Sequence, residues 1–112
     1  MLEVKKLRDL KVRKGVLDVA YVSAASGLAV AGRHVYVVAD DQMCLACFDL
    51  DSNEPGEWLR LFEGDLPAEH KARKAKKPDL EAICVLPANI HAKHGALLVV
   101  PSGSKEWRSR AC

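Results

Sequence analysis

The sequence predicts an all-β fold, an incomplete β-propeller made of one full four-stranded antiparallel blade and half of the next. Two observations indicate this fold. A short apolar strand, a turn and a longer apolar strand occur in residues 27–41 and again in residues 82–103, a repeat of roughly fifty residues that is typical of propeller blades. Aromatic residues form only 5% of the chain, so Val, Leu, Ala and Ile must supply the core, as in sheets packed face to face.

The whole chain, residues 1–112, is predicted to be a single partial propeller domain that begins with N-terminal strands in residues 1–25. Residues 2–13 are compatible with a strand pair or a short helix, because apolar and basic side chains nearly alternate there. Residues 16–22 alternate more regularly, and this pattern predicts a strand.

The first blade is predicted in residues 26–64, where apolar segments of strand length are separated by turns rich in Gly, Asp and Asn. The four predicted strands cover residues 26–30, 34–39, 42–50 and 57–62. Four consecutive antiparallel strands within about forty residues are typical of one complete propeller blade.

A basic loop is predicted in residues 65–79, with a single helical turn as the alternative, because two prolines bracket a run of lysines and arginines. The start of the second blade is predicted in residues 80–112, with strands at residues 80–86 and 95–100. The sequence stops where a third strand is expected, and we interpret it as a truncated copy of a larger propeller. The expected partners are therefore further blades or further copies of the chain.

Composition predicts a cytoplasmic protein that does not enter a membrane. The net charge of +2 is too small to indicate a nucleic acid or a membrane surface as partner. The first residues contain no apolar export signal, and no apolar stretch is long enough to span a bilayer. The four cysteines are accordingly interpreted as thiols rather than disulfides. They are Cys44, Cys47, Cys84 and Cys112.

Four segments of the chain resemble a known group of proteins. They are residues 26–29 (Ser-Gly-Leu-Ala), 36–41 (Tyr-Val-Val-Ala-Asp-Asp), 73–82 and 101–104 (Pro-Ser-Gly-Ser). From about residue 24 to residue 110, the chain resembles uncharacterised bacterial β-propeller proteins that are similar to the esterase-like phytase type. The resemblance implies a six-bladed ring, of which this chain supplies about the opening third. It also implies that the Asp79-Leu80-Glu81-Ala82 motif begins the inner strand of a blade and directs a carboxylate to the central channel.

Four carboxylates form the first candidate site. Asp40 and Asp41 end the second strand of the first blade, whereas Asp79 and Glu81 flank the first strand of the next blade. Because equivalent positions of neighbouring blades converge on the propeller axis, these side chains are expected to meet. Asp40 and Asp41 are then candidate ligands of a divalent cation such as calcium, and Asp79 and Glu81 are candidate catalytic residues. The structural alternative is that aspartates at strand ends cap turns.

The basic run of residues 71–77 is the second candidate site. Lys74, Lys76 and Lys77 lead directly into Asp79, and they are candidates for binding a small anionic ligand, such as a phosphorylated compound. No aromatic residue lies within the run to stack on bases, which argues against single-stranded nucleic acid. The structural alternative is a solvated loop.

A zinc site and a nucleophilic serine are weaker candidates. Cys44 and Cys47, together with His91 and His94, have the residue types of a zinc site. However, residues three apart in a strand face opposite sides of the sheet and cannot share one ion. The Ser102-Gly103-Ser104 segment follows a strand, but it does not match the motif of a nucleophile elbow.

Two functions are compatible with these features. The first is a propeller-type binding or scaffold module for an unknown ligand. The alternative is a metal-assisted hydrolase of a phosphorylated or ester substrate, in which a divalent cation lies near the four carboxylates and the lysines attract the anion.

Overall fold

The computed structural model describes residues 2–103, and this part of the chain is mostly β-structure. Six strands and one short helix follow one another along these residues. They are β1 (Ala25–Ala31), β2 (His34–Ala39), β3 (Cys44–Asp49), β4 (Glu57–Arg60), α1 (His70–Lys76), β5 (Leu80–Leu86) and β6 (Ala96–Pro101). The predictions made for Ser104, Cys112 and the end of the second blade lie outside the described residues.

The first four strands form one antiparallel sheet in the order β1-β2-β3-β4, so each strand pairs with its neighbour in the sequence. The four strands predicted within residues 26–64 are thereby confirmed. Gly32 makes the turn between β1 and β2 with a φ of +60°, a left-handed conformation that glycine adopts without a steric penalty. Val37 and Val38 are both buried, one on each face of the sheet, because other parts of the chain cover both faces.

Strands β5 and β6 form a second, two-stranded antiparallel sheet, which confirms the strands predicted at residues 80–86 and 95–100. Leu80 and Val99 of this sheet pack with Val38 and Leu45 of the first sheet in one buried cluster. The second sheet therefore covers one face of the first, and burial of these aliphatic side chains holds the two sheets together.

Strand β1 lies against strand β5 because Gly27 leaves room for a close approach. A Cβ atom at Gly27 would lie 3.0 Å from the Cγ2 atom of Val38 and 3.4 Å from the Cα atom of Ala82 in β5. The neighbouring Ser26 hydroxyl donates a hydrogen bond to the backbone carbonyl of Leu80. The first strand of each sheet therefore contacts the first strand of the other.

The segment predicted as a basic loop contains helix α1, which has seven residues instead of the single turn considered above. The Glu69 carboxylate caps the helix by accepting hydrogen bonds from the backbone N–H groups of Lys71, at 2.9 Å, and Ala72, at 2.7 Å. These two bonds lower the pKa of Glu69 because they favour its charged form. Pro78 follows the C-cap residue Lys77, and a proline cannot continue the helical hydrogen-bond pattern.

The strand predicted for residues 16–22 is wrong, because this segment forms no extended pairing with another strand. Its pairing is limited to an isolated bridge between Lys11 and Tyr21. Leu17, Val19 and Val22 pack instead on the face of the first sheet opposite to β5, and the Val19 carbonyl accepts a hydrogen bond of 2.9 Å from the Trp58 indole. A sheet face can partly bury apolar residues without a strand partner, and here it does so for these three side chains.

Candidate anion-binding site

Three charged residues meet where β2 ends, α1 ends and β5 begins. The Nζ atom of Lys77 lies 3.3 Å from an Asp40 carboxylate oxygen and 3.4 Å from an Asp79 carboxylate oxygen. The exposed fractions of the three side chains are 18% for Lys77, 33% for Asp40 and 16% for Asp79. Partly buried ion pairs are screened less by salt than pairs on the surface. One ammonium group therefore links a carboxylate next to the first sheet with a carboxylate next to the second.

Asp79 is held in place by its neighbours on the second sheet. Its carboxylate accepts a hydrogen bond of 2.7 Å from the Ser102 hydroxyl, and its carbonyl accepts one of 2.8 Å from the Ser102 backbone N–H. Its φ of +58° is left-handed, which costs less for aspartate than for most other residues with a side chain. Ser102, considered above as a nucleophile, thus orients a carboxylate at the start of β5.

Asp41 adds a carboxylate with one incompletely satisfied oxygen. Its Oδ2 atom accepts a hydrogen bond of 3.3 Å from the Ser23 hydroxyl. Its Oδ1 atom is buried, and no hydrogen-bond partner reaches it from residues 2–103. The Asp41 backbone carbonyl accepts a hydrogen bond from the Arg73 guanidinium of α1, so the end of β2 is joined directly to the helix.

A cleft of about 270 Å³ opens beside these groups, and we call it the α1 cleft. Its lining residues come from the segment before β1, the end of β2, and helix α1 with its C-cap. They are Ala24, Asp40, Asp41, His70, Arg73, Lys74 and Lys77. Three basic side chains, those of Arg73, Lys74 and Lys77, thus line the cleft with two carboxylates, and the balance of charge favours an anion.

The helical spacing of α1 decides which basic residues reach the cleft. Residues 70, 73, 74 and 77 are three, four and seven positions apart, so they lie on one side of a helix. Of the three lysines predicted to bind an anion, Lys74 and Lys77 line the cleft, whereas Lys76 does not. His70 and Arg73 line it too, although the basic run alone did not single them out. The helical period, applied to residues 70–77, could have found them.

A divalent cation was predicted near the four carboxylates. At two of them, Asp40 and Asp79, the structure has the ammonium group of Lys77 instead. Among the residues that the structure describes, no three His, Cys, Asp or Glu side chains are grouped so that they could hold a metal ion. Glu81 is exposed and does not line the α1 cleft. The structure therefore brings together Asp40, Asp41 and Asp79 and leaves Glu81 apart.

The cysteines and histidines of the weaker zinc hypothesis do not form one group in the described part of the chain. Cys44 belongs to the buried cluster on one face of the first sheet, whereas Cys47 hydrogen-bonds Tyr36 and lies beside Glu57, so that it belongs to the other face. Burial raises the pKa of both thiols, which disfavours their thiolate forms. His91 and His94 are exposed in the loop between β5 and β6.

The comparisons with known proteins identify a family without a known activity. None of the helices in the described part of the chain is long and apolar enough to cross a membrane. Searches among curated proteins and among solved structures found no match. A family model described as a family of unknown function, DUF6929, matches residues 21–112, a segment that contains both sheets and every residue of the α1 cleft. The chain therefore belongs to the DUF6929 family of unknown function.

Proposed function

We propose that this chain is a propeller-type binding module that takes a small anionic ligand in the α1 cleft. The observation that carries the proposal is the stripe of basic side chains that α1 and its C-cap present to this cleft. The Asp40–Lys77–Asp79 contacts support it, because they fix the position of one cation between the two sheets. Preorganised charges bind an anion at a lower entropic cost than mobile surface lysines do.

The sheet arrangement supports the propeller part of the proposal. A blade is a sheet of four antiparallel strands in sequence order, as in β1–β4. The innermost strands of neighbouring blades lie near the common axis, and contact between β1 and β5 at Gly27 is compatible with that arrangement. By this proposal the two sheets are successive blades. The resemblance to propellers similar to the esterase-like phytase type also implies successive blades.

The contacts of Lys77 favour a binding module over a metal-assisted hydrolase. A hydrolase of that kind requires carboxylates that can coordinate a cation, yet the Asp40 and Asp79 carboxylates already share an ammonium group. Glu81, the other candidate catalytic residue, has an exposed side chain outside the cleft lining. We therefore assign the carboxylates of Asp40 and Asp79 the role of orienting Lys77.

Inorganic phosphate is expected to bind the α1 cleft, and Lys74→Ala is expected to weaken that binding by about three- to tenfold. This range corresponds to the loss of one partly solvated, charge-assisted contact. The measurement is a titration with phosphate at constant ionic strength, followed by amide chemical shifts of residues 70–77.

Lys71→Ala is the matched control for this titration, because Lys71 lies on the same helix but does not line the cleft. It removes the same charge and should keep the wild-type affinity. Equal weakening by both substitutions would mean that phosphate responds only to net charge, and the proposed site would be abandoned.

The chain is expected to associate with copies of itself, because the cross-strand pairs on the outer face of the β5–β6 sheet are apolar. Cross-strand pairs on this face join Ala82 to Val100, Cys84 to Leu98, and Leu86 to Ala96. Light scattering should give a mass above that of one chain, with three copies completing a six-bladed ring. Val100→Lys should return the protein to one copy, since Val100 is 39% exposed on this face.

Ile90→Lys provides the control for association, because Ile90 is 94% exposed in the loop that follows β5. This variant should keep the mass of the wild-type protein. A wild-type chain that is monomeric and unfolds cooperatively would contradict self-association.

A further inference from the structure

A second cleft, of about 460 Å³, shares the lining residue Arg73 with the α1 cleft, and we call it the Gln42 cleft. Its volume is in the range of small-molecule pockets. The N-terminal segment, the residues between β2 and β3, and the residues before α1 form its walls. The lining residues used below are Val16, Leu17, Gln42, Met43, Leu66 and Arg73.

Gln42 is the polar centre of this cleft. Its side chain is only 5% exposed, and it is the buried polar residue of the described core. A carboxamide has two donors and an acceptor, and within residues 2–103 the buried side-chain atom that lacks a hydrogen-bond partner is Oδ1 of Asp41 and not an atom of Gln42, so the polar end of Gln42 is open to the cleft. Polar atoms that line a cleft can exchange their bound water for a ligand that makes the same hydrogen bonds. The Gln42 carboxamide therefore has capacity for a bound molecule.

Arg73 supplies the charge of the same cleft. Its guanidinium donates to the carbonyls of Pro67 and Asp41, and a guanidinium has five N–H groups. Within the described part of the chain, these two contacts leave further N–H groups for a ligand.

Two aspartates also line the cleft, and each has a cationic partner. Asp18 pairs with Lys14 at 3.4 Å, and Asp65 pairs with Arg60 at 3.2 Å. Both aspartate side chains are exposed to solvent, by 91% and 83%. Their charges are thus compensated and screened by water, whereas the buried Gln42 and the partly buried Arg73 line the same cleft with hydrogen-bond donors.

We propose that the Gln42 cleft binds a short-chain aliphatic carboxylate, whose carboxylate accepts hydrogen bonds from Gln42 and Arg73. Planar guanidinium and carboxylate groups form parallel hydrogen bonds, which favours a carboxylate over a spherical anion. The apolar chain of the ligand contacts Val16, Leu17, Met43 and Leu66. This site goes beyond the proposed function, because His70, Lys74 and Lys77 lie in the other cleft.

Hexanoate is the probe, and Gln42 itself is the reporter. Gln42 is the single glutamine of the chain, so glutamine labelled with ¹⁵N in its side chain gives one pair of side-chain signals. Hexanoate should shift this pair with a saturable curve. Hexan-1-ol lacks the carboxylate and acetate lacks the chain. The affinity of each should be lower than that of hexanoate by at least about tenfold.

Gln42→Leu is expected to weaken hexanoate binding by about tenfold or more, measured by calorimetry, while phosphate binding in the α1 cleft is retained. Because leucine has nearly the shape of glutamine, the variant should fold. If it does not, the labelled wild-type protein still tests the proposal.

An absent or non-saturable shift of the Gln42 signals would overturn the carboxylate site, and so would equal binding of hexan-1-ol or an unchanged affinity in Gln42→Leu. Hexanoate binding without phosphate binding would overturn only the proposed function of the α1 cleft. The two proposals can therefore fail separately.

Discussion

Replacement of Leu80 by alanine is expected to lower the free energy of unfolding by about 2–5 kcal/mol, the range measured for Leu→Ala in buried cores. Leu80 is fully buried, and it packs with Val38, Leu45 and Val99 in the cluster between the two sheets. Alanine would remove apolar contacts from both sheets and leave a cavity. The measurement is urea unfolding at equilibrium, followed by circular dichroism.

Leu28→Ala is the matched control, because Leu28 lies in β1 with 59% of its surface exposed. The same change of side chain should there cost less than about 1 kcal/mol. Similar losses for the two variants would contradict the packing of β5 against the first sheet, since the contacts of Leu80 would then not distinguish it from a surface leucine.

Replacement of Lys77 by methionine is expected to cost about 1–3 kcal/mol, because two carboxylates lose the cation between them. Asp40 and Asp79 would then lose the ammonium group that both contact, in a place where only part of each side chain contacts water. Methionine keeps most of the apolar stem of lysine, so the change tests the charge and not the packing. Urea unfolding measures the loss, which should decrease at high salt.

Two further variants separate this charge effect from a general effect of the substitution. Lys76→Met changes the adjacent, exposed residue of α1 and should be nearly neutral. Adding Asp40→Asn to Lys77→Met should recover part of the lost stability, since one of the two carboxylates that contacted Lys77 is removed. If Lys77→Met were as stable as the wild-type protein and calcium raised the Tm of both, calcium and not Lys77 would be the cation of this site.

The strands were predictable where local pattern and tertiary environment agree. Residues 34–39 and 80–86 are apolar runs bounded by turn or proline residues, and both coincide with the strands observed. Residues 16–22 show the limit of periodicity. Their alternation predicted a strand, yet Leu17, Val19 and Val22 pack on the first sheet and Tyr21 is 60% exposed, which is not an alternating pattern.

The candidate site was predictable in its residue types and only partly in its membership. Aspartates at strand ends and a basic run indicate charge, and the structure brings Asp40, Asp79 and Lys77 into contact. Lys76 and Glu81 have the same residue types but lie outside the cleft. His70 and Arg73 enter it because residues 70–76 form a helix, and a charge count does not contain that information.

The sequence by itself determined the apolar strands, the turns between them and the charges placed at their ends, because these properties depend on neighbours along the chain. Only the tertiary structure decided that the second sheet covers the first, that Lys77 joins the carboxylates of Asp40 and Asp79, and that Gln42 is buried beside a cleft. Each of these contacts joins residues of different elements, and their distances depend on how the sheets and α1 pack.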